Sequence, residues 1–268
     1  MRFAIINDAK SEAKKGLSGS CPSCGSHVIP KCGNKKRHHW AHKGRLMCDP
    51  WWENETQWHR GWKSHFPVEC QEVSHKDEAT GEKHIADVKT INGWVLEFQH
   101  SYLKPEERKA RNDFYKKIAW VVDGTRLKGD LEKVMNALKS GKPMNQAILK
   151  VAPDACSIFR DWASLHAPVF FDFGGSQLVL LLPSGPDGFF YASTAISKEQ
   201  FITIFREPET QLAREFETFL NAFHQIVHQW NNPQQRKLHL TLPERRYIRR
   251  GPRIDYIQSR KSRNRNRF

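Results

Sequence analysis

Two acidic residues and a glutamine stand inside a run that otherwise has the composition of a β-hairpin. Residues 86–101 read ADVKTINGWVLEFQHS, and Asp87, Glu97 and Gln99 interrupt two apolar segments joined at an Asn-Gly pair. Acidic residues are unfavourable in strands and are rarely buried without a partner. Two of them in neighbouring strands therefore indicate a site that binds positive charge.

The length of the hairpin loop decides whether these residues meet. A two-residue Asn-Gly turn would send Asp87 and Glu97 to different faces of the sheet. A three-residue loop over 91–93, with Gly93 in the left-handed conformation, places Asp87 directly opposite Glu97. That register also separates apolar from polar side chains, so we expect it. The apolar face is then Ala86, Val88, Trp94, Leu96 and Phe98, and the other face is Asp87, Glu97 and Gln99, with Ile85 and Val95 beside them.

Facing carboxylates favour a divalent cation, because two like charges opposite each other destabilise a sheet by up to about 1 kcal/mol. Asp87 and Glu97 offer the hard oxygens that Mg²⁺ or Mn²⁺ prefers, and the Phe98 carbonyl is a further candidate ligand. Gln99 can hydrogen-bond an attacking water or a phosphate, and Glu55 from the preceding predicted helix can complete the shell. Such a site hydrolyses phosphodiesters. A surface hairpin with solvated acids is the alternative.

A second group of candidate ligands precedes the hairpin. Cys21-Pro-Ser-Cys24 and His39-Trp-Ala-His42 offer two thiolates and two imidazoles, which predicts a tetrahedral zinc site with a structural role. Because the His-x-x-His spacing is one residue shorter than that of zinc fingers, further nearby residues stay open as ligands. These are Cys32, His38 and Cys48. A redox-active CxxC is the rival interpretation, but the chain shows no βαβ context there.

The charge balance predicts a polyanionic partner. The chain of 268 residues has 43 Lys and Arg against 29 Asp and Glu, a net charge of +14. Residues 236–268 hold twelve of these basic residues against two acids. We expect this tail to be disordered and able to bind phosphates without sequence preference.

The same sequence argues against secretion and membranes. Its six cysteines are scattered apart from the CxxC, and the N-terminus has no apolar segment of signal-peptide length. The longest apolar run, 178–182, has the length of a strand. A reducing cytoplasm is expected, with no membrane partner.

The predicted elements form an α/β (α+β) fold with a mixed central sheet flanked by helices. They are a helix at 53–66, a strand at 68–74, the hairpin, a helix at 104–117, a strand at 118–124 and a helix at 127–141. The expected organisation is a zinc-binding module at 1–50, a core at 51–150, an α/β region of unknown role at 151–230 and the basic tail at 231–268. The third region is either a second domain or an extension of the first sheet.

Three landmarks resemble the competence protein CoiA-like family of the PD-(D/E)XK nuclease superfamily. They are CPSCG with HWAH; Glu55-x-x-x-His59-x-x-x-Lys63; and IADV with LEFQHS, followed by Arg111-x-x-x-Tyr115 and WVVDG. The resemblance covers about residues 1–125. It implies a restriction-endonuclease-like core in which Asp87 and Glu97 bind the metal, Glu55 is the helix acid and Gln99 replaces the usual lysine.

These observations predict a Mg²⁺- or Mn²⁺-dependent nuclease of the bacterial cytoplasm that acts on DNA in competence, recombination or phage defence. The alternative is a non-catalytic factor that uses the same fold to bind single-stranded or branched DNA, because glutamine lacks the positive charge of lysine. A third possibility is a phage-defence nuclease that prefers RNA or modified DNA.

Overall fold

Two β-sheets organise the computed structural model, which describes residues 1–35, 37–43, 48–49, 51, 55–78, 80–163, 166–183 and 188–231. All of these residues belong to one compact unit. Nearly the whole of the predicted basic tail lies outside them. Within the described ranges, no helix has both the length and the apolar character needed to cross a membrane.

The N-terminal sheet is small and antiparallel. Its strands are β1 (Phe3–Ile6), β2 (Ala9–Glu12), β3 (Gly19–Ser20), β4 (His27–Lys31) and β5 (His39–His42), in the order β2-β1-β3-β4-β5. Its buried core consists of few side chains, which are Ala4, Ala13, Cys21, Val28 and Trp40. The Trp40 indole N–H donates to the Ser11 carbonyl at 2.8 Å. A core of this size supplies little hydrophobic stabilisation, which favours a metal as an additional restraint.

The second sheet is mixed, as the sequence predicts. Its strands are β6 (Gln71–Lys76), β7 (Lys83–Lys89), β8 (Val95–Gln99), β9 (Ile118–Asp123), β10 (Lys142–Pro143), β11 (Leu149–Val151), β12 (Val169–Asp172), β13 (Gln177–Leu182) and β14 (Phe190–Ser197). They lie in the order β10-β11-β14-β13-β12-β9-β8-β7-β6. Strand β9 runs parallel to both β8 and β12, and the other pairs are antiparallel. Because β12 pairs directly with β9, the strands of the 151–230 region extend the central sheet.

Helices cover both faces of this sheet. They are α1 (Gln57–Lys63), α2 (Pro105–Tyr115), α3 (Asp130–Ser140), α4 (Ser157–Trp162), α5 (Lys198–Arg206) and α6 (Gln211–Asn231), with a short 3-10 turn at Val68–Cys70. One core contains apolar side chains of α1, α5 and α6, and the other contains those of α2, α3 and α4. The predicted arrangement of a mixed sheet flanked by helices is therefore confirmed.

Helix α1 begins later than its sequence pattern suggests. Thr56 is its N-cap: the Thr56 hydroxyl accepts a hydrogen bond from the His59 N–H at 3.3 Å, and the Thr56 N–H donates to the His59 ring at 3.4 Å. This reciprocal capping box fixes the start of the helix. Glu55 consequently precedes the helix and does not lie on its face; residues 52–54 are outside the described part of the chain.

Candidate functional site

Four side chains of the N-terminal module converge on one point. Cys21 Sγ lies 3.7 Å from Cys48 Sγ, and Cys24 Sγ lies 3.3 Å from His42 Nε2. All four ligand atoms lie within 4.8 Å of one another. A zinc ion with Zn–S distances near 2.3 Å requires sulfur atoms roughly 3.8 Å apart at the corners of a tetrahedron. The donor set and its spacing fit a zinc ion, so this cluster can hold one.

The cluster contains three of the four predicted ligands, and its fourth member is Cys48. His39 lies apart from it, with its ring Nδ1 2.8 Å from a backbone carbonyl of the preceding loop. The reason is that residues 39–42 form strand β5, and successive side chains of a strand point to opposite faces. His39 and His42, three positions apart, therefore face opposite ways. Cys48, one of the alternatives left open above, takes the remaining corner.

The cysteine knuckle has the backbone hydrogen bonds of a tight turn. The Gly25 N–H donates to the Cys21 carbonyl at 2.9 Å, and Gly25 has φ +71°, a conformation that favours glycine. Burial alone would raise the pKa of Cys24, but hydrogen bonds from Ser26 and His42 outweigh it and lower the pKa to about 6. Burial and the neighbouring sulfurs raise the pKa of Cys48 to about 12. Zinc binding would therefore have to displace a thiol proton.

The loop between β7 and β8 has three residues, as the sequence predicts. The Thr90 N–H donates to the Trp94 carbonyl at 2.8 Å and closes the loop. Gly93 has φ +84°, the left-handed conformation that glycine adopts readily. The observed register pairs Lys89 with Val95 and Val88 with Leu96, as the three-residue loop predicts, and it brings Asp87 next to Glu97 where the regular pairing ends.

The two strands separate at Asp87, where carboxylates replace the backbone ladder. The Phe98 N–H donates to Asp87 Oδ2 at 3.0 Å, and the Asp87 N–H donates to Glu97 Oε1 at 3.4 Å. This irregularity accompanies one correction to the sequence analysis. Ala86 does not share the core of Val88 and packs in the core on the opposite face of the sheet. Strict alternation holds only where a strand is regular.

A pocket beside the hairpin brings the four predicted catalytic residues together. Asp87, Glu97 and Gln99 line it from the two strands, and Glu55 lines it from the residue before the N-cap of α1. The Gln99 amide is buried and donates to the carbonyl and the hydroxyl of Ser101, each at 3.2 Å. Gln99 therefore lines the pocket, and its side-chain amide also donates to the loop that follows β8.

Acidic side chains outnumber basic ones in the described lining of this pocket. The acids are Asp49, Glu55, Glu72, Asp87 and Glu97, and the bases are Lys63 and Arg111. The lining thus has an excess of acidic side chains in a protein whose overall charge is +14. This local excess is suited to a cation and not to a bare phosphate.

Lys63 is the basic group that several of these acids share. Its Nζ lies 2.6 Å from Glu55 Oε1, 3.1 Å from Glu72 Oε1 and 3.6 Å from Asp87 Oδ1, and its side chain is 3% exposed. Burial would lower the pKa of Lys63, but the three carboxylates outweigh burial and raise it. Burial would likewise raise the pKa of Glu72, yet Lys63 and two backbone N–H groups near the N-terminus lower it to about 2. Both groups are therefore charged at neutral pH.

Glu97 has a different environment. Arg111 Nη1 donates to Glu97 Oε2 at 2.9 Å, and both side chains are buried. Burial, followed by repulsion from the Asp87 carboxylate, raises the pKa of Glu97 to about 8, although Arg111 opposes the change. Burial and the Asp87 charge therefore disfavour the ionised form of Glu97, and Arg111 alone does not offset them. A divalent cation between Asp87 and Glu97 would supply additional positive charge, so the donor set fits Mg²⁺ or Mn²⁺.

Sequence reasoning assigned no role to Lys63, Glu72 or Arg111. Lys63 ends the motif Glu55-x-x-x-His59-x-x-x-Lys63, and Arg111 begins the motif Arg111-x-x-x-Tyr115. The four-residue spacing within each motif is typical of one face of a helix, and it is the signal in the sequence that indicates these two residues. Glu72 has φ +47° at the start of β6, an uncommon conformation for glutamate. Strand β6 is QEVSHK and largely polar, so its sequence pattern does not single out Glu72 as a buried acid.

Comparison with protein-family models matches residues 7–50 to the N-terminal domain of the competence protein CoiA. The matched segment contains all four residues of the cysteine–histidine cluster and ends before the strands that carry the pocket. No curated protein and no solved structure matches the chain. The N-terminal module is thus similar to the CoiA N-terminal domain, and this similarity fits a function related to competence.

Proposed function

We propose that the protein is a Mg²⁺- or Mn²⁺-dependent nuclease that hydrolyses phosphodiester bonds in DNA, with a core of the restriction-endonuclease-like, PD-(D/E)XK type. The observation that carries this proposal is the contact of Asp87 with Glu97, whose Oε1 accepts the Asp87 N–H at 3.4 Å, in an acidic pocket that also contains Lys63. The order of the motifs in the sequence supports the same family of nucleases.

Each residue of the pocket has its own role in the proposed hydrolysis. Asp87 and Glu97 would hold the cation, with Glu55 beside them. The chemistry that a bound Mg²⁺ or Mn²⁺ supplies is neutralisation of charge on the scissile phosphate and activation of a water molecule. The Gln99 amide hydrogen-bonds the water or a phosphate oxygen. Lys63 provides, from helix α1, the positive charge that Gln99 lacks.

Exposed basic side chains on the module that carries the cysteine–histidine cluster support a nucleic-acid substrate. Lys31, Lys35, Arg37 and Lys43 are all exposed on the module that carries the cluster. Together with the net charge of +14, they supply favourable contacts with a phosphate backbone. DNA is the substrate that a competence-related function favours.

A second function, DNA binding without cleavage, is favoured by one observation. Lys63 already contacts three of the pocket acids, and Arg111 contacts a fourth. If these ion pairs persist in the presence of divalent cations, the pocket is a structural element and the protein acts as a DNA-processing factor without hydrolysis.

A cleavage assay separates the two functions. Labelled single-stranded, double-stranded and branched DNA, and RNA, are incubated with the protein in Mg²⁺, Mn²⁺ or EDTA. The nuclease predicts cleavage that EDTA and Asp87→Asn abolish and that Asp113→Asn, a change of an exposed acid on α2, leaves intact. Binding without cleavage under every metal supports the second function. Cleavage that survives Asp87→Asn would exclude this pocket as the catalytic site.

A further inference from the structure

The chain passes from the cysteine–histidine cluster to the carboxylate pocket within two residues. Cys48 is a member of the cluster, and Asp49, the next residue, is 6% exposed and lines the pocket. Trp51 also lines the pocket. We call Cys48, Asp49 and Trp51 the linking segment. Its contacts reach β7 directly and β8 through Arg111.

Asp49 fixes the backbone of β7 close to Asp87. Asp49 Oδ2 accepts a hydrogen bond from the Ile85 N–H at 2.7 Å, two residues before Asp87 on the same strand. Asp49 Oδ1 accepts one from the Trp51 N–H at 2.9 Å and lies 3.0 Å from His84 Nδ1. The regular pairing of β7 with β8 ends at Val88, and Asp49 binds the β7 backbone beyond that point, at Ile85.

Trp51 connects the linking segment to Glu97. Its carbonyl accepts a hydrogen bond from Arg111 Nη2 at 3.0 Å, and the Arg111 guanidinium lies 5.4 Å from the centre of the Trp51 ring. The same ring stacks on His84 with 3.2 Å between ring centres. Because Arg111 Nη1 donates to Glu97, the orientation of this carboxylate depends on the position of Trp51.

We propose that zinc held by the cluster positions Asp87 and Glu97 through the linking segment, with Asp49 and Trp51 as positioning residues. A zinc ion that fixes Cys48 restricts the motion of Asp49 and Trp51, and through their contacts it restricts the motion of the hairpin. Thermodynamic linkage is reciprocal, so a cation bound in the pocket also raises the affinity of the cluster for zinc. The coupling is a property of the fold; only its consequence for catalysis rests on the proposed function.

Hydrogen exchange of the full-length protein, followed by mass spectrometry, tests the coupling without any measurement of cleavage. Zinc is removed with a chelator in buffer free of Mg²⁺ and Mn²⁺. Exchange of the β7 and β8 amides should then become roughly 5- to 150-fold faster, the usual range of coupling between two sites. Unchanged exchange in β7 and β8, together with faster exchange in β4 and β5, would overturn the proposal.

Two matched variants test Asp49 while zinc remains bound. Asp49→Asn cannot accept all of the hydrogen bonds that the carboxylate accepts, whereas Glu82→Gln changes the other carboxylate beside His84, which is about half exposed (52%). With zinc content verified by atomic absorption, Asp49→Asn should accelerate exchange in β7 and Glu82→Gln should not. Equal exchange in the two variants would remove Asp49 as a positioning residue.

A titration with Mn²⁺ distinguishes failure of this inference from failure of the proposed nuclease. Accelerated exchange in a protein that binds no Mn²⁺ in the pocket retains the coupling and excludes the nuclease. Mn²⁺ binding that Asp87→Asn abolishes, with equal affinity in the presence and absence of zinc, retains the catalytic site and excludes the coupling. A fivefold or larger loss of Mn²⁺ affinity upon zinc removal supports both.

Discussion

Replacing Lys63 with methionine removes a positive charge that three carboxylates share and keeps most of the apolar length of the side chain. Loss of one partner from a buried ion pair costs about 3–5 kcal/mol. The pKa of Glu72 gives a second estimate. A folded-state pKa of about 2, against an ordinary value of 4.5, corresponds to about 3.4 kcal/mol of stability at pH 7. This value is an upper limit for Lys63, because backbone N–H groups also stabilise the Glu72 carboxylate.

The pH dependence of this loss identifies its cause. Because the pKa of Glu72 is lower in the folded state, the stabilisation is fully present above about pH 4.5 and decreases as the pH falls toward 2. At pH 3 only about 1.4 kcal/mol of the original 3.4 kcal/mol remains. The difference in stability between the wild type and Lys63→Met should therefore be less than half as large at pH 3 as at pH 7.

Urea unfolding at the two pH values, followed by circular dichroism, measures this difference. Lys109→Met is a suitable control, because the Lys109–Asp113 pair is exposed on α2 and should contribute less than about 1 kcal/mol. Lys63→Met with the stability of the wild type at pH 7 would refute the electrostatic role of Lys63. An equal loss at pH 7 and pH 3 would show that packing, and not charge, causes the effect.

Other parts of the molecule give further predictions. Cys48→Ser should lower zinc affinity by about tenfold or more in a competition with a chromophoric chelator, whereas His39→Ala should not; equal losses would make His39 a ligand after all. Gly93→Ala should destabilise the protein by about 1–2 kcal/mol in urea, because φ is +84° there. Gly61→Ala, inside helix α1, should stabilise the protein by about 0.5–1 kcal/mol. An added Cβ meets no atom within 4 Å at Gly61 or at Gly93, so neither effect is caused by a clash. Removal of residues 236–268 should weaken DNA binding and flatten its dependence on salt; unchanged affinity would exclude the tail from binding.

Local rules account for the parts of the site that the sequence predicts. The hairpin register depends on a loop of three residues and on the alternation of side chains in two adjacent strands. Both can be judged from residues 86–101 alone, and the Thr90–Trp94 pairing agrees with that judgement. Similarly, the CxxC turn positions two cysteines through a few consecutive residues, so Cys21 and Cys24 were identifiable without any tertiary structure.

The remaining features depend on contacts between distant segments. His39 was a reasonable ligand for a turn or a helix, but β5 is a strand, and its pairing with β4 turns His39 away from His42. Glu72 reaches Lys63 only because β6 joins the edge of the sheet next to β7. No periodicity in the sequence specifies which edge a strand joins, so the charge partners in the pocket were not predictable.

The C-terminal half has a structural consequence for the pocket that the sequence did not indicate. Asp172, at the end of β12, is buried, and its Oδ2 accepts hydrogen bonds from the indole N–H groups of Trp58 and Trp62, each at 3.1 Å. Its other oxygen forms an ion pair with Lys198 at 2.7 Å, so the buried carboxylate is fully compensated. Two indoles one helical turn apart on a single carboxylate fix the rotation of α1 about its axis. Since Lys63 directly follows Trp62, the strands added by residues 151–230 determine where α1 places its charge in the pocket.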